Sequence, residues 1–353
     1  LLNFPNEYWK HNKSFEISYE INSYCFQIKS DFRRNSRVNL ILSEEFSKVF
    51  NELKNTINVW KEEFRNRELS EVSEGLRFTI PFELHARENI TKALKQSNIS
   101  GFFQTQTFIP SSRSFFANLQ KNYWSLTDDI LDIDPLISRF GKSYDNAKNL
   151  YNIISKQDVF KPKVDVSNCL NEVIKAEYQE IDGDDWIVND SYKVRLSRAS
   201  SGQQEAFPML LILMMNNYRI AGLNFHSMYI EEPEAHLFPD AQAKVVSAIL
   251  KIFSKQDTNF FITTHSPYIL TSINNSIYAN QLIESGKVTE EKFVDISNGS
   301  YPINFSDISA YSITKGQITD IKDYELNLID GTFLDSISNN FGKIFNQLLD
   351  LDS

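Results

Sequence analysis

The stretch Leu196–Leu270 constrains the fold more than any other part of the chain. Three polar clusters lie in it at similar spacing, namely Ser200–Gln204, Glu231–Glu234 and Thr264–Pro267. Short apolar runs precede the second and third clusters and predict buried strands. Because ligands bind at the carboxyl ends of the strands in open α/β sheets, this pattern predicts an α/β fold with one binding edge.

The second cluster offers two adjacent carboxylates at the end of a strand. Met228–Ile230 predicts the strand, Glu231 and Glu232 follow it, and Pro233 ends the ladder because it has no N–H. Adjacent strand residues point to opposite sides, so the two carboxylates cannot share one role. One can hold a Mg²⁺ shell, since this hard cation requires oxygen ligands. The other can act as general base toward an attacking water.

The third cluster repeats this plan with a histidine. His265 follows the β-rich run Phe260–Thr264, and Ser266-Pro267 predicts a helix start with proline in the first turn. An imidazole at this position can form a hydrogen bond with a phosphate group or a water.

The first cluster predicts the N-terminus of a helix. Ser200 or Ser201 can cap the helix, and Gly202 lets another backbone approach closely. Free N–H groups at a helix N-terminus bind anions. Each cluster alone is more often a turn, a solvated surface or a structural histidine, but the three in this order favour a nucleotide site.

These motifs resemble those of ABC-type ATPase heads of the SMC, RecF and OLD group. Ser200–Gln204 resembles the signature motif, Ile230–Glu234 resembles Walker B, and His265 resembles the switch histidine. The wording EEPEAHLFP is most similar to OLD-type and related phage-defence ATPases. Glu231 stands where such heads more often have Asp, although Glu at this position can still hold a Mg²⁺-bound water.

The resemblance implies an ABC-type P-loop ATPase head, in which a mixed sheet core and an antiparallel β subdomain carry a helical insertion. It implies ATP and Mg²⁺ as cofactors. Two copies, or a larger homo-oligomer, would pair head to tail, and each would lend its signature helix to the nucleotide of the other. Nucleotide binding is implied for Ser200, Ser201, Gly202 and Gln203, with Ser201 and Gly202 at the γ-phosphate.

The resemblance also implies the roles of the remaining site residues. Glu231 would hold Mg²⁺ through water, Glu232 would activate the attacking water, and His265 would sense the γ-phosphate. Phosphoryl transfer depends mainly on positioning and charge neutralisation, which these residue types can supply.

An arginine outside these clusters is a weaker candidate. Phe108–Arg113 resembles a strand-plus-arginine segment of the same ATPase heads. Arg113 could touch phosphate or a partner, and an ordinary surface arginine is an equally good interpretation.

The phosphate-binding loop is the motif that the sequence lacks. A P-loop needs G-x-x-x-x-G-K-[ST], and none of the Gly-Lys pairs, at Gly141, Gly286 and Gly342, has a glycine five residues earlier. We expect that the natural chain begins before Leu1 and carries the P-loop there. The alternative is a degenerate ATPase that never had one.

The pattern along the chain predicts four segments. Residues 1–113 are the N-terminal part of the ATPase head, 114–176 a helical insertion, 177–300 the C-terminal part of the head, and 301–353 a mixed C-terminal extension. The predicted strands are Phe15–Ile21, Tyr24–Ile28, Val38–Leu42, Arg77–Phe82, Gly101–Ile109 and two or more within Tyr178–Arg195. The predicted helices include Phe46–Phe64, Gln203–Met215, one that opens at Pro239 and one over Ile329–Leu351. The acidic run from Asp128 to Asp134 could hold a metal, but a solvated helix end is the better interpretation.

Composition limits the function classes. The chain of 353 residues has 36 basic and 46 acidic side chains, so its net charge of −10 does not indicate nucleic-acid binding. Its two cysteines, Cys25 and Cys169, predict neither a disulfide framework nor a metal site and fit a reducing, cytoplasmic compartment. The longest apolar run, Met209–Met215, is too short to span a bilayer, so no membrane partner is expected.

The resemblance points to nucleic-acid-linked work, although ATPase chemistry is not a biological role. The acidic constellation of the Toprim nuclease that OLD proteins carry is not found after Leu270. Our leading hypothesis is an ATPase subunit of a bacterial antiphage defence system, similar to Septu or retron systems, with a nuclease or toxic effector supplied in trans and possible contact with DNA or RNA. The alternatives are a RecF-like repair ATPase and a catalytically dead assembly scaffold.

Overall fold

A computed structural model describes most of the chain. It describes residues 15–21, 24–30, 38–52, 105–117, 134–155, 164–181, 183–216, 226–255 and 258–331, with a few helical residues between 54 and 62. Contacts divide the chain into two compact units, residues 1–105 with 221–223, and residues 106–220 with 224–353. The four predicted segments stay a prediction.

The strands and helices are as follows. The strands are β1 (Phe15–Ile21), β2 (Tyr24–Ser30), β3 (Val38–Leu42), β4 (Thr105–Ile109), β5 (Glu177–Ile181), β6 (Asp184–Val188), β7 (Lys193–Arg195), β8 (His226–Glu231), β9 (Thr258–Thr263), β10 (Tyr311–Thr314), β11 (Gln317–Asp320), β12 (Lys322–Asp323) and β13 (Leu328–Ile329). The helices are α1 (from residue 44), α2 (Ser114–Ala117), α3 (Pro135–Ile154), α4 (Ser167–Ile174), α5 (Ser201–Asn216), α6 (Pro239–Lys255), α7 (Pro267–Glu284) and α8 (Glu290–Ile296).

The first unit contains an antiparallel sheet in the order β1-β2-β3. Ile21 pairs with Tyr24, so two residues connect β1 to β2, which confirms the predicted hairpin. The third predicted strand is also confirmed, and α1 follows it with the Phe46 N–H donating to Ser43 Oγ at 3.3 Å. Phe46 is buried, and its ring lies 6.3 Å from that of Phe26. The predicted strand Arg77–Phe82 lies outside the described residues.

The second unit is built on a sheet in the order β4-β8-β9. Strands β8 and β9 are parallel, with Met228 opposite Phe260 and Ile230 opposite Ile262. Parallel strands need a crossover, and α6, which opens at Pro239 as predicted, supplies it. The described β4 begins at Thr105 rather than at Gly101, since residues 101–104 lie outside the described ranges.

Helix α5 lies in the middle of the core. Every residue from Glu205 to Met215 is buried, as expected for a helix that is apolar on all sides. The helix packs against α2, α3 and α4. This confirms the buried helix predicted for Gln203–Met215, and it places the N-terminal residues of α5 at the end of a rigid core element.

An antiparallel meander leads into α5. Strands β5, β6 and β7 pair in that order, and Gly183, at φ +84°, lies in the turn between the first two. The positive φ is the conformation that glycine adopts without a steric cost. The strands predicted around this glycine are therefore confirmed, and a short 3₁₀ turn at Leu196–Arg198 connects them to the helix.

The C-terminal part packs on α6 and α7 through a second apolar cluster. Its buried members are Val246, Leu250, Ile269, Ile277, Ile303 and Ile329. Ile329 pairs with Lys322 in a two-stranded ladder, so the helix predicted to begin at Ile329 is wrong at its start. Residues 332–353 lie outside the described part of the chain.

The acidic run before α3 also has a partial answer. Asp134 is exposed and caps α3, because its Oδ1 accepts the N–H of Leu136 at 2.7 Å. This confirms a helix end at Asp134, while Asp128 lies outside the described residues.

Parallel strands with crossover helices confirm the α/β class. Within the described ranges, no helix is both long and apolar enough to cross a membrane.

Candidate nucleotide site

The two carboxylates of the second cluster lie where β8 ends. Glu231 is the last residue of β8, and the Glu232 N–H donates to the Thr263 carbonyl at 2.9 Å, which extends the pairing with β9. Glu232 has φ +42°, a left-handed conformation that is uncommon for residues other than glycine. Such a conformation costs about 1–3 kcal/mol and is often found at functional sites. The chain therefore turns sharply at the residue predicted to be the general base.

A fully buried arginine ties this strand end to two other elements. The Arg113 guanidinium donates to the carbonyls of Glu205 at 2.9 Å, Pro110 at 2.8 Å, Glu231 at 2.8 Å and Glu232 at 3.0 Å. Its side chain has no exposed surface. These bonds connect the segment after β4, helix α5 and the end of β8 through one planar group, a geometry that arginine can supply and lysine cannot.

A buried carboxylate balances this arginine. Glu205, on α5, accepts the backbone N–H of Arg113 at 2.7 Å and that of Ser114 at 3.0 Å, and its Oε2 lies 3.5 Å from Arg113 Nε. Burial lowers the pKa of Arg113 from its usual value, and the negative charge of Glu205 offsets part of this effect.

The geometry corrects our interpretation of Arg113. The sequence suggested a contact with phosphate or with a partner, or an ordinary surface arginine. In the structure the side chain lies in the interior and faces backbone carbonyls, so neither interpretation finds support in this conformation.

Glu231 is the candidate Mg²⁺ residue, and its surroundings suit a Mg²⁺ ion whose other ligands are waters and phosphate oxygens. It is half-buried, and its Oε2 accepts the Ser111 N–H at 3.2 Å. Glu205, Glu231, Glu232 and Glu234 all lie near enough to the guanidinium of Arg113 for their negative charges to act on it. Within the described ranges, no three His, Cys, Asp or Glu residues converge to form a metal site. One carboxylate with waters and phosphates is the usual arrangement for Mg²⁺, and these residues fit it.

The third cluster lies beside the second. His265 follows β9, its side chain is exposed, and its N–H donates to Glu234 Oε1 at 2.7 Å. The hydroxyl of Thr264 donates to the same oxygen at 2.8 Å. Ser266 Oγ accepts the Tyr268 N–H at 3.2 Å and caps α7, whose first residue is Pro267, so the predicted helix start is confirmed. The structure thus brings the histidine to the strand end that carries the carboxylates.

The first cluster caps α5. The N–H and Oγ of Ser200 donate to Gln203 Oε1 at 3.1 and 3.0 Å, and the Gln203 N–H donates to Ser200 Oγ at 3.4 Å, which is a capping box. Gln203 Nε2 donates to the Ile174 carbonyl at 2.6 Å and to the Tyr192 hydroxyl at 3.2 Å. Ser200 and Ser201 are exposed. In this conformation Gln203 positions the helix start, and its contact with nucleotide stays a prediction.

Gly202 makes the close approach that we predicted, but within its own chain. A Cβ atom on Gly202 would lie 2.6 Å from the His236 carbonyl oxygen, closer than real Cβ atoms come to a heavy atom. His236 has φ +59° and belongs to the segment that follows Glu232–Glu234. The start of α5 therefore packs on the backbone that leaves the second cluster.

Sequence reasoning assigned no individual role to two carboxylates that the structure places in this hydrogen-bond network, Glu205 and Glu234. For Glu205 the signal is a charged residue directly before the apolar run Ala206–Met215, because buried charges are paired. For Glu234 the signal is weaker, since it lies inside the EEPEAH motif without a distinguishing spacing.

Comparison with known proteins shows the family of the chain. A family model described as an AAA ATPase domain matches residues 3–270. A search of curated proteins finds no match to the chain. The family match covers well over half of the chain and all three polar clusters. The chain therefore belongs to the AAA ATPase domain family.

Proposed function

We propose that this chain is an ABC-type ATPase head that binds and hydrolyses ATP with Mg²⁺, pairs with a second copy on ATP binding, and controls a nuclease or toxic effector supplied in trans. Family membership supports a general ATPase. The observation that carries the proposal is the junction of the second and third clusters. There the Glu232 N–H reaches Thr263, and the His265 N–H reaches Glu234.

Each residue at this junction has a proposed role in hydrolysis. Glu232, turned by its left-handed backbone, accepts the proton of the attacking water. Glu231 holds Mg²⁺ through water, and the metal, when bound, neutralises charge on the phosphate oxygens. The exposed imidazole of His265 donates a hydrogen bond to the γ-phosphate.

Pairing of two heads is supported by the surface at the start of α5. Ser200 and Ser201 are exposed, and the first N–H groups of a helix attract anions. In the proposed dimer this helix start faces the γ-phosphate of the nucleotide on the partner head. Gln203 keeps the helix start capped, so Ser201 and Gly202 are presented by a rigid element.

The place of the ATPase in bacterial antiphage defence rests on the resemblance of EEPEAHLFP to OLD-type and phage-defence ATPases. In this proposal the chain acts as a switch, and the effector protein carries out the cleavage or the toxic reaction. Metal-dependent nucleic-acid cleavage by the purified full-length protein alone, abolished by a point mutation in it, would contradict an effector in trans.

Two substitutions in the full-length protein test the ATPase proposal. Glu232→Gln keeps the shape of the side chain and removes the base, so turnover should fall about 10²- to 10⁴-fold while ATP still binds. With hydrolysis blocked, the ATP-dependent dimer should persist longer than in the wild type. Glu231→Gln should instead weaken Mg²⁺-dependent nucleotide binding. Turnover and ATP-dependent mass by light scattering measure both effects.

The exposed Glu291 on α8 provides the matched control, and Glu291→Gln should behave as the wild type. If Glu232→Gln hydrolyses ATP at the wild-type rate while Glu231→Gln does not, the two roles are reversed. If neither substitution changes turnover, the Walker B interpretation of this strand end fails.

A further inference from the structure

We propose that Glu234 is a positioning residue that holds the His265 loop, residues Thr264–Ser266, against the end of β8 and thereby sets the rate of turnover. The proposal rests on the ATPase function given above, because it concerns how the same site is kept in its working geometry. Glu234 touches no reacting atom in this scheme and acts through His265.

The side chain of Glu234 accepts two hydrogen bonds at one oxygen. Thr264 Oγ1 lies 2.8 Å and the His265 nitrogen 2.7 Å from Oε1. Thr264 Oγ1 in turn accepts the Ser266 N–H at 3.0 Å, and Ser266 caps α7. Because hydrogen bonds to a charged acceptor are stronger than neutral ones, one carboxylate anchors the whole segment from the end of β9 to the start of α7.

The backbone of Glu234 belongs to a tightly hydrogen-bonded segment, residues 232–237, which contacts the start of α5. The Ala235 N–H donates to the Glu232 carbonyl at 3.0 Å, and the Leu237 N–H donates to the Glu234 carbonyl at 2.9 Å. The His236 carbonyl of this segment is the group that presses on Gly202. Glu234 therefore lies between the histidine of the third cluster and the start of α5, and a shift of either reaches the other through it.

A direct catalytic role fits Glu234 less well than this positioning role. Its Oε2 is buried and has no hydrogen-bond partner within the described part of the chain, so it does not face solvent from which a water could enter. Its Oε1 already serves two donors. The negative charge of Glu234 also acts on the buried guanidinium of Arg113, which supports a structural reason for a carboxylate here.

The kinetic test compares two variants of the full-length protein with the wild type. Glu234→Ala removes the acceptor and should lower kcat about tenfold or more, since a misplacement of about 1 Å near a reacting group can cost about 10²-fold. The KM for ATP should stay within about twofold, because the proposed nucleotide contacts other than that of His265 remain. Glu234→Gln keeps an oxygen in the position of Oε1 and should recover most of the lost turnover. Equal loss in the Gln and Ala variants, or wild-type turnover in the Ala variant, would overturn the proposal.

A double-mutant cycle tests whether the bond to the loop is the cause. Thr264→Val removes one donor to Oε1 and should lower kcat by less than Glu234→Ala does, while Thr264→Ser keeps the hydroxyl and serves as its conservative counterpart. The double variant Glu234→Ala/Thr264→Val should lose less than the product of the two single losses, since the bond between Glu234 and Thr264 can be lost only once, although the valine also removes the acceptor of the Ser266 N–H. Effects that multiply would refute a shared contact.

Hydrogen exchange separates this proposal from the ATPase proposal. In the nucleotide-free protein, amide exchange in the segment around His265 should be faster in Glu234→Ala than in the wild type, and near the wild type in Glu234→Gln. If the wild type does not hydrolyse ATP, the ATPase proposal fails, and exchange still decides whether Glu234 holds the loop. Unchanged exchange in Glu234→Ala would overturn the positioning role whatever the turnover.

Discussion

Removal of the Arg113 guanidinium should destabilise the second unit strongly. Arg113→Met keeps much of the apolar stem, but it removes one donor from each of four carbonyl oxygens and takes the cation away from Glu205. Loss of one partner of a buried ion pair costs about 3–5 kcal/mol. The backbone N–H groups of Arg113 and Ser114 still donate to Glu205, so its charge is not wholly unpaired. We expect this relief and the lost hydrogen bonds at the four carbonyls to offset each other, so the range of about 3–5 kcal/mol is kept.

Thermal unfolding measures the effect. For a unit of this size, 1 kcal/mol corresponds to about 2–4 °C, so the Tm of Arg113→Met should fall by about 6–20 °C. Arg113→Lys keeps the charge but offers one ammonium group to four dispersed carbonyls, so its Tm should lie between those of Arg113→Met and the wild type. Arg198→Met, at an exposed arginine just before α5, is the control and should change the stability by less than about 0.5 kcal/mol.

A different outcome would return Arg113 to its first interpretation. If Arg113→Met keeps the Tm of the wild type within about 2 °C and loses only ATP-dependent association, the arginine acts on phosphate or on a partner. The bonds to the four carbonyls would then have no energetic role, and the stabilisation of this strand end by Arg113 would be refuted.

Three further substitutions test the packing of the second unit. Gly202→Ala places a Cβ 2.6 Å from the His236 carbonyl oxygen, so the backbone has to shift. In urea unfolding, the free energy of unfolding should fall by about 1–3 kcal/mol. A fall of less than about 0.5 kcal/mol would show that the backbone can move away without strain. Tyr144→Phe removes a buried hydroxyl that lacks a partner within the described ranges, so the free energy of unfolding should stay equal or rise. The hydroxyl of Tyr178 donates to Asp185 at 2.7 Å, so Tyr178→Phe should lower the free energy of unfolding by about 1.5–3 kcal/mol. The opposite order of the two variants in urea unfolding would contradict this account.

The sequence was sufficient for elements with a strong local pattern. The hairpin of β1 and β2 was predictable because alternating residues bracket two turn residues. The start of α7 was predictable because Ser266-Pro267 combines a capping side chain with proline at the first helical position. In both cases the signal lies within a few residues and does not depend on tertiary contacts.

Tertiary contacts decided what the sequence could not. An arginine after a strand has the same local pattern whether it faces solvent or interior, and the partners of Arg113 on α5 and β8 are distant in the chain. The same holds for Gly202, whose neighbour His236 follows it by more than thirty residues. The predicted helix at Ile329 failed because apolar spacing in a short segment does not separate a helix from a strand that pairs with Lys322.

The contact between Gly202 and His236 restricts the choice of residue at position 202 far more than at position 236. The atom that presses on Gly202 is a backbone oxygen, which every amino acid provides, so the contact itself places no demand on the side chain at 236. That side chain is exposed, and the backbone at φ +59° favours residues that adopt the left-handed region readily, such as His, Asn, Asp and Gly. In relatives that keep this packing, position 236 should therefore drift among these residues, while position 202 should admit no side chain at all.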